Sequence, residues 1–335
     1  MLKFTKQQVV AEYLPDTVSP QSMKTFSFAP SNIALCKYWG KRDAELNLPI
    51  NSSLSVSLAH LGSKTRILLS DTEQDQVVLN DELLAADNSF AVKVIAFIDM
   101  FRRGADHKVR VETENNIPTA AGLASSASGF AALMQAVNEF YRLELDLSLQ
   151  SAFARMGSGS ASRSLFTGFV EWQMGQREDG MDSIAAPLAA QWPELRIGLI
   201  KVSTAQKPVD SRSGMNRTVA TAHLYQSWPM QAAADLSQLH TAIETQDFKL
   251  LGQTAEQNAL SMHATMIASW PPLLYWQADS VTAMHKIWQL RAEGLSLYFT
   301  MDAGPNLKVL FNTADEAEIC KQFPDMQVIT PFGNQ

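Results

Sequence analysis

Residues 37–43 concentrate cationic and aromatic side chains in one short stretch. The order is Lys-Tyr-Trp-Gly-Lys-Arg-Asp, so three cations surround the rings of Tyr38 and Trp39. Cations spaced in this way can hold a polyanion while an adjacent ring excludes water from it. The pattern predicts an anion-binding site, and the alternative is a solvated basic loop beside buried rings.

Small residues fill the stretch 118–129, directly before a predicted helix at Phe130–Leu143, and no charge occurs from Asn115 to Gln135. Small residues let the backbone approach a ligand closely, and a helix N-terminus offers free N–H groups that suit a phosphate. The hydroxyl groups of the stretch can add hydrogen bonds or reach a metal ion. The alternative is a tightly packed helix start, because neither GxxxxGK[ST] nor GxGxxG is present.

A third candidate is the Gly- and Ser-rich segment Gly157–Ser164. Arg163 is the only charged residue between Met156 and Val170. A planar guanidinium can hold a carboxylate or a phosphate through two parallel hydrogen bonds. The alternative is a flexible surface loop, although the apolar residues that follow directly favour burial.

Asp302 ends an apolar segment and begins the turn Asp-Ala-Gly-Pro-Asn. A carboxylate at the end of a strand is well placed to act as a general base. On this pattern alone a simple Asx turn is favoured instead. The six histidines have no metal-ligand spacing, and we interpret them as structural or surface residues.

Composition limits the class of protein. The chain has 335 residues, 46% of them hydrophobic and 18% charged, as expected for a globular protein with a sizeable core. A net charge of -7 argues against broad nucleic-acid binding. Cys36 and Cys320 are far apart and indicate free thiols in a reducing compartment. With neither a signal peptide nor a bilayer-length apolar run, we expect a cytoplasmic protein without nucleic-acid or membrane partners.

Hydrophobic periodicity predicts a mixture of strands and helices. The predicted strands are Ser53–Leu58, Thr65–Leu69, Val77–Leu79, Val109–Glu112, Leu165–Trp172, Leu195–Val202, Leu295–Met301 and Leu307–Phe311. Besides Phe130–Leu143, the predicted helices are Phe90–Arg103, Ser148–Arg155, Ala232–Phe248, Leu250–Met262 and Ser280–Glu293. Thr5 and Gln8 form a capping pattern for a short helix, and residues 203–214 are expected to be a loop.

Strands and helices without regular βαβ alternation predict an α+β fold. The apolar pattern breaks around Pro187–Pro193. We therefore expect an N-terminal extension at 1–24, an N-terminal domain at 25–190 and a C-terminal domain at 191–335.

Together these segments resemble the diphosphomevalonate decarboxylase family of the GHMP kinase superfamily. The family's opening pattern is matched by residues 29–34 (Ala-Pro-Ser-Asn-Ile-Ala) and 37–43, and its phosphate loop by residues 115–129. Its Ser/Arg segment is matched by residues 157–164 and its aspartate segment by residues 302–306. Residues 180–183 and 261–265 also look familial, and the matches follow the family's order.

The resemblance implies a GHMP-kinase-like two-domain fold. Its nucleotide-binding N-terminal domain would be like ribosomal protein S5 domain 2, its C-terminal domain would be ferredoxin-like, and the active cleft would lie between them. The implied activity is ATP- and Mg²⁺-dependent decarboxylation of mevalonate diphosphate to isopentenyl diphosphate by a homodimer. The rival hypotheses are a phosphomevalonate decarboxylase, a GHMP-type small-molecule kinase, and a non-catalytic nucleotide sensor.

The resemblance also implies roles for individual residues. Those implied to hold the ATP phosphates are Ala121, Gly122, Leu123, Ala124, Ser125, Ser126 and Ser128, with Ser125 or Ser126 near Mg²⁺. Those implied to bind the substrate are Tyr38, Trp39, Lys41, Ser158, Ser160, Arg163 and Ser211. Those implied to be catalytic are Asn32, Lys37, Arg163 and Asp302, with Asp302 orienting or deprotonating the tertiary 3-hydroxyl.

Three features depart from the family pattern. Ser162 stands where the family often has Cys, which is a near-isosteric change. The loop 209–215 differs from the commonest version and leaves the role of Ser211 open. The extension before Lys24 has no family role that the resemblance supplies.

Overall fold

The computed structural model describes residues 4–117, 125–205 and 209–333. The strands are β1 Ser27–Cys36, β2 Lys41–Asp43, β3 Leu48–Pro49, β4 Ser53–Leu69, β5 Gln76–Leu79, β6 Glu82–Leu83, β7 Val109–Asn115, β8 Phe169–Trp172, β9 Ala185–Pro187, β10 Leu195–Ile200, β11 Leu297–Met301, β12 Leu307–Asn312 and β13 Gln327–Ile329. The helices are α1 Lys6–Tyr13, α2 Ser89–Asp99, α3 Ser125–Phe140, α4 Leu147–Gly157, α5 Ser211–Thr221, α6 Trp228–Thr245, α7 Phe248–Ile267, α8 Ala278–Ala292 and α9 Glu316–Gln322, with short 3-10 helices at Gly159–Leu165, His223–Ser227 and Thr313–Asp315.

The N-terminal half is built on a sheet of order β6-β5-β7-β4-β8-β9, with β1 also paired to β4. The long strand β4 is antiparallel to β1, β7 and β8, so it connects both ends of this sheet. The two strands predicted at 53–58 and 65–69 are therefore one strand. The alternation breaks between them, where Ala59 takes a positive φ of 51° and the register with β1 shifts as in a β-bulge, yet the strand continues.

Helix α3 packs against β1 and β4 in the core of this half. It begins at Ser125, earlier than the predicted start at Phe130. Small residues in its first turns permit this close approach. The packing around Gly157 is also tight, because a Cβ there would lie 2.2 Å from the ring of Phe130 on α3.

The segment 159–165 is a 3-10 helix whose side chains from Ala161 to Leu165 are buried. The surface-loop alternative for this segment is therefore wrong. The strand predicted from Leu165 begins only at Phe169, because the chain first turns through Gly168, whose φ is 74°.

The C-terminal half contains an antiparallel sheet of order β11-β12-β10-β13, against which α7 and α8 pack. The turn 302–306 joins β11 to its partner β12. The loop expected at 203–214 ends early, since α5 starts at Ser211. The Asp210 carboxylate caps this helix by accepting hydrogen bonds from the backbone N–H groups of Arg212 (2.9 Å) and Ser213 (3.1 Å).

A shared apolar core joins the two halves. Ile33 and Leu35 of β1 belong to the same buried cluster as Ile197 and Leu199 of β10. The two halves therefore form a continuous body with a cleft on one side. The boundary at residues 190 and 191 stays a prediction.

The N-terminal extension is part of the fold. Thr5 caps α1 by accepting a hydrogen bond from Gln8 N–H, and the Gln8 side chain accepts one from Thr5 N–H, which confirms the predicted capping box. Val9 and Val10 are fully buried in the core of the N-terminal half. Across the described ranges, no helix combines the length and apolar character needed to cross a bilayer.

Candidate active site

A cleft of about 540 Å³ lies between the two halves. That volume is in the range of small-molecule sites. Twelve of the residues singled out in the sequence line it together: Asn32, Lys37, Tyr38, Trp39, Lys41, Ser125, Ser126, Ser158, Ser160, Arg163, Ser211 and Asp302. The N-terminal half supplies most of them, and the C-terminal half supplies Ser211 and Asp302.

An ion pair between Lys37 and Asp302 crosses this cleft. The Lys37 Nζ atom lies 3.0 Å from Asp302 Oδ1 and also donates to the Ala34 carbonyl at 2.8 Å. Two buried side-chain amides bind the backbone of Lys37. Its N–H donates to Asn258 Oδ1 on α7 at 2.8 Å, and its carbonyl accepts from Asn51 Nδ2 at 2.9 Å. These contacts fix the direction in which the ammonium group points.

Burial lowers the pKa of Lys37 to about 8, because the charged form has lost its water. Asp302 opposes this change by stabilising the ammonium, while the charges of Lys308 and Arg163 add to it. Lys37 is therefore a cation near neutral pH that releases its proton more readily than an ordinary lysine.

The Asp302 carboxylate lies between two lysines. Its Oδ2 is 3.3 Å from Lys308 Nζ, whereas Lys37 contacts Oδ1. Burial would raise the pKa of Asp302, but Lys37 and then Lys308 outweigh it and hold the pKa below the usual range. From helix α7, His263 Nε2 lies 3.1 Å from the backbone carbonyl oxygen of Asp302. Asp302 is thus ionised at neutral pH, with its side chain 31% exposed toward the cleft.

Arg163 lies in the wall of the cleft with only 2% of its surface exposed. Its guanidinium contacts Ser53 Oγ, donates to Asn32 Oδ1 at 3.4 Å, and lies 5.8 Å from the ring centroid of Trp172. Burial lowers the pKa of Arg163 to about 10, and Asp302 opposes this change. The Nε atom is buried with no hydrogen-bond partner within the described ranges. A bound anion is the kind of group that satisfies such a donor.

Asn32 links this wall to the 3-10 helix. Its Nδ2 donates to Ser164 Oγ at 2.7 Å and to the Ser160 carbonyl at 3.4 Å. The amide of Asn32 is therefore fixed beside the guanidinium of Arg163.

Lys41 forms a second cationic position in the cleft. Its Nζ donates to Asn47 Oδ1 at 2.6 Å. Burial lowers the pKa of Lys41 to about 8, and the nearby charges of Arg212 and Lys6 lower it further while Asp210 raises it. An anion bound here would relieve the repulsion among these cations.

Tyr38 adds an aromatic ring to the wall of the cleft. Its ring meets that of Trp172 edge to face with centroids 4.8 Å apart, and burial raises the pKa of Tyr38. Gly159 is required beside it, because a Cβ at that position would lie 2.8 Å from Tyr38 Cε1.

The start of α3 presents hydroxyl groups to the cleft. Ser125 and Ser126 are exposed there, and Ser158 Oγ donates to Ser126 Oγ at 3.4 Å. Hydroxyl oxygens beside a helix N-terminus fit the oxygen chemistry of magnesium phosphate complexes. In the described part of the chain, His, Cys, Asp and Glu form no group of three that could hold a metal ion.

Ser128 lies in a different environment from Ser125 and Ser126. It is fully buried, and its Oγ lies 3.1 Å from that of Ser31 and 2.8 Å from that of Ser63. In this arrangement it packs α3 onto β1 and β4, and its nucleotide role stays a prediction. The predicted positions Ala121, Gly122, Leu123 and Ala124 lie outside the described residues.

Several residues of the site were given no role in the sequence analysis. Those that line the cleft include Asn47, Lys93, Asp210 and Arg212. The sequence Asp-Ser-Arg-Ser at 210–213 is a helix N-cap pattern and could have located the last two. Lys308 gave no such signal, because one lysine in an apolar strand is usually at a sheet surface.

Residues 31–70 contain five cations, against only Asp43 and Glu45, and the structure divides these cations into two groups. Lys37 and Lys41 enter the cleft, whereas Arg42 donates to the Met174 carbonyl at 2.9 Å. Lys64 and Arg66 form ion pairs with glutamates of the neighbouring strand β7. Only the first part of that cationic segment therefore contributes to the site.

Comparison with known families matches both halves of the chain. Residues 29–185 match the diphosphomevalonate decarboxylase-like N-terminal domain, and residues 198–330 match the mevalonate 5-diphosphate decarboxylase C-terminal domain. The chain is 39% identical over 310 residues to the diphosphomevalonate decarboxylase of Aspergillus fumigatus, covering 86% of this chain and 76% of that protein. It is 38% identical over 311 residues to the enzyme of Saccharomyces cerevisiae, covering 87% of this chain and 78% of that protein.

Solved structures give the same result. The mevalonate diphosphate decarboxylase of Staphylococcus aureus superposes with a TM-score of 0.85 at 37% identity, covering 91% of this chain and 94% of that one. MDDEF in complex with MVAPP, AMPPCP and magnesium superposes with a TM-score of 0.83 at 41% identity, covering 91% and 96%. These relatives have the GHMP kinase two-domain fold, which confirms the predicted fold class. The chain belongs to the diphosphomevalonate decarboxylase family.

Proposed function

We propose that the cleft catalyses the ATP-dependent decarboxylation of mevalonate diphosphate to isopentenyl diphosphate, ADP, phosphate and CO₂, in the mevalonate pathway. The observation that carries this proposal is the 3.0 Å ion pair of Lys37 with Asp302. It places a candidate base from the C-terminal half beside the cationic stretch of the N-terminal half. The hydroxyl groups at the start of α3 line the same cleft, so a nucleotide and a substrate can meet there.

The charges of the cleft support one orientation of the substrate. The diphosphate would lie toward Lys41, Tyr38 and Ser211, where Arg212 adds a further cation. The carboxylate would lie against Arg163, with the 3-hydroxyl beside Asp302. Asn32, Trp39, Ser158 and Ser160 would complete the walls, and positioning of this kind lowers the barrier by fixing the reacting groups in advance.

The chemistry begins with a tertiary alcohol, which is a poor leaving group. Asp302 accepts the hydroxyl proton as the oxygen forms a bond to the γ-phosphorus of ATP, and the bond to ADP breaks. Lys37 neutralises charge on the transferring phosphoryl group. The new phosphate then leaves with the electrons of its C–O bond, and the C–CO₂ pair forms the alkene as CO₂ departs.

ATP and Mg²⁺ are the partners that the nucleotide end of the cleft fits, and the related MDDEF complex contains AMPPCP and magnesium. Ser125 or Ser126 would be the protein ligand of Mg²⁺, which when bound neutralises phosphate charge. We further propose a cytoplasmic homodimer with domains divided at residues 190 and 191. Light scattering in solution would test the dimer.

Comparing mevalonate diphosphate with the monophosphate, each with Mg-ATP, tests the proposed activity and its substrate. Release of ADP and CO₂ should be followed together. We expect a higher kcat/KM for the diphosphate, with both products formed. ADP without CO₂ would indicate a kinase, preference for the monophosphate would change the substrate, and no ATP consumption would indicate a nucleotide sensor.

A further inference from the structure

Lys308 occupies an unusual position in the C-terminal sheet. It lies on the central strand β12, opposite Thr300 of β11 and Leu199 of β10. Only 1% of its surface is exposed. Its neighbours Leu307 and Val309 belong to the core of the C-terminal half. Because side chains alternate along a strand, Lys308 points the other way, toward the interface with the N-terminal half.

A buried lysine on such a face is costly for folding. Removing an ammonium group from water is costly, and a single ion pair often fails to recover that cost. Within the described ranges, Lys308 forms its ion pair with Asp302, at 3.3 Å. An apolar side chain of similar length would fill the same space without the desolvation cost. Stability therefore gives no reason for a lysine here, while proximity to Asp302 does.

We propose that Lys308 is a positioning residue for the decarboxylation, holding Asp302 through Oδ2 so that the carboxylate stays an ionised acceptor facing the reacting hydroxyl. This inference rests on the proposed function of the cleft. Lys308 is not among the described residues that line the cleft, so its effect on the substrate passes through Asp302. Lys37 contacts the other oxygen, Oδ1, and the two lysines together fix the plane of the carboxylate.

The same arrangement makes Asp302 a weak base in the resting enzyme. Among the residues that the structure describes, the charged and titratable groups near it are Lys37 after β1, Arg163 on the 3-10 helix, His263 on α7 and Lys308 on β12. Burial lowers the pKa of His263 to about 4, so this ring is neutral at pH 7. A weak base suffices where phosphoryl transfer has a loose transition state, because the hydroxyl proton then moves late.

The test replaces Lys308 with Met and measures kcat, KM and the pH profile of kcat. We expect kcat to fall about 10- to 100-fold, as for a misplaced reacting group, with KM changing little. The acid limb of the profile should move to higher pH, because Asp302 loses one of two neighbouring cations. Lys308→Arg keeps the charge and should keep the acid limb near its original position. Lys286→Met, on α8 of the same half, is the matched control, since its ammonium lies over the Phe323 ring and outside the cleft.

The outcomes separate this inference from the proposed function. An inactive natural enzyme would refute the function itself, whereas an active one allows the variants to be compared. Lys308→Met with unchanged kcat and pH profile would show a structural lysine and overturn the inference. If the acid limb of the pH profile moved equally in the Met and Arg variants, the positive charge of Lys308 would not be what holds Asp302 ionised, and the inference would be overturned. Thermal unfolding is measured in parallel, and if Lys308→Met and Lys308→Gln both fail to fold, stability requires the lysine and the inference fails.

Discussion

Replacing Asp302 with Asn tests the site at its most strongly charged point. The substitution keeps the size of the side chain but removes the negative charge that lies between Lys37 and Lys308. The pKa of Lys37 is already about 8, and the Asp302 charge is the largest influence raising it. Without that charge the pKa falls further, and Lys37 loses much of its positive charge at neutral pH. One substitution therefore removes both the base and the neighbouring cation.

The size of the defect follows from these two losses. A positioned general base contributes about 10²- to 10⁴-fold, and a donor that stabilises transition-state charge contributes about 10²- to 10³-fold. Residues that act as a unit are not additive. We therefore expect kcat to fall by about 10³-fold or more, which corresponds to about 4 kcal/mol. Substrate affinity should change modestly, because Lys41 and Arg163 remain.

The assay measures CO₂ release for kcat and calorimetric titration for substrate binding, with thermal unfolding as a function of pH. The lowered pKa of Asp302 contributes stability that is present at neutral pH and is lost as the pH falls through its folded pKa. The variant should thus be less stable than the natural protein at neutral pH, with the difference shrinking in acid. Asp106→Asn is the matched control, because that exposed carboxylate pairs with Lys108 at 2.9 Å. Turnover of the Asp302 variant near that of the control would refute the reasoning.

Three further predictions concern the same cleft. Arg163→Lys loses the planar fork and should weaken substrate binding and turnover together by about 1.5–3 kcal/mol, measured by kcat and KM; unchanged kinetics would remove Arg163 from the site. Gly159→Ala should raise KM through displacement of the Tyr38 ring, which a Cβ would approach to 2.8 Å, and a crystal structure with Tyr38 unmoved would contradict this. The kcat/KM profile should decline as pH rises through about 8, where Lys37 and Lys41 lose their protons, and a decline only near the pKa of an ordinary lysine would contradict it.

The hydrophobic pattern of the sequence was sufficient to predict most of the helices. Helices α2, α4, α6, α7 and α8 were found because their apolar residues recur at helical spacing. The continuity of β4 was missed because the alternation breaks where Ala59 takes a positive φ, and the pairing with β1 shifts register there, between Ser57 and Gly62. The start of α5 was missed because Asp210 was placed inside a loop when it is an N-cap.

The site needed more than local pattern. On their own, the cationic stretch, the Arg163 segment and the Asp302 turn each left a plain structural alternative open. It was the family resemblance, with its fixed order of segments, that placed them in one cleft. The role proposed for Lys308 could not be predicted from the sequence, because it depends on the pairing of β11 with β12. That pairing brings Lys308 beside Asp302. A residue that acts through a neighbour in space leaves no spacing signal in the chain.

A crystal structure with mevalonate diphosphate and a non-hydrolysable ATP analogue tests the central claim most directly. We predict the 3-hydroxyl oxygen within about 2.6–3.2 Å of Asp302 Oδ1, the substrate carboxylate on Arg163 and the diphosphate toward Lys41. The analogue's terminal phosphate should approach the same hydroxyl from the start of α3. A substrate bound with its hydroxyl turned away from Asp302, or with its carboxylate and diphosphate exchanged, would contradict the account.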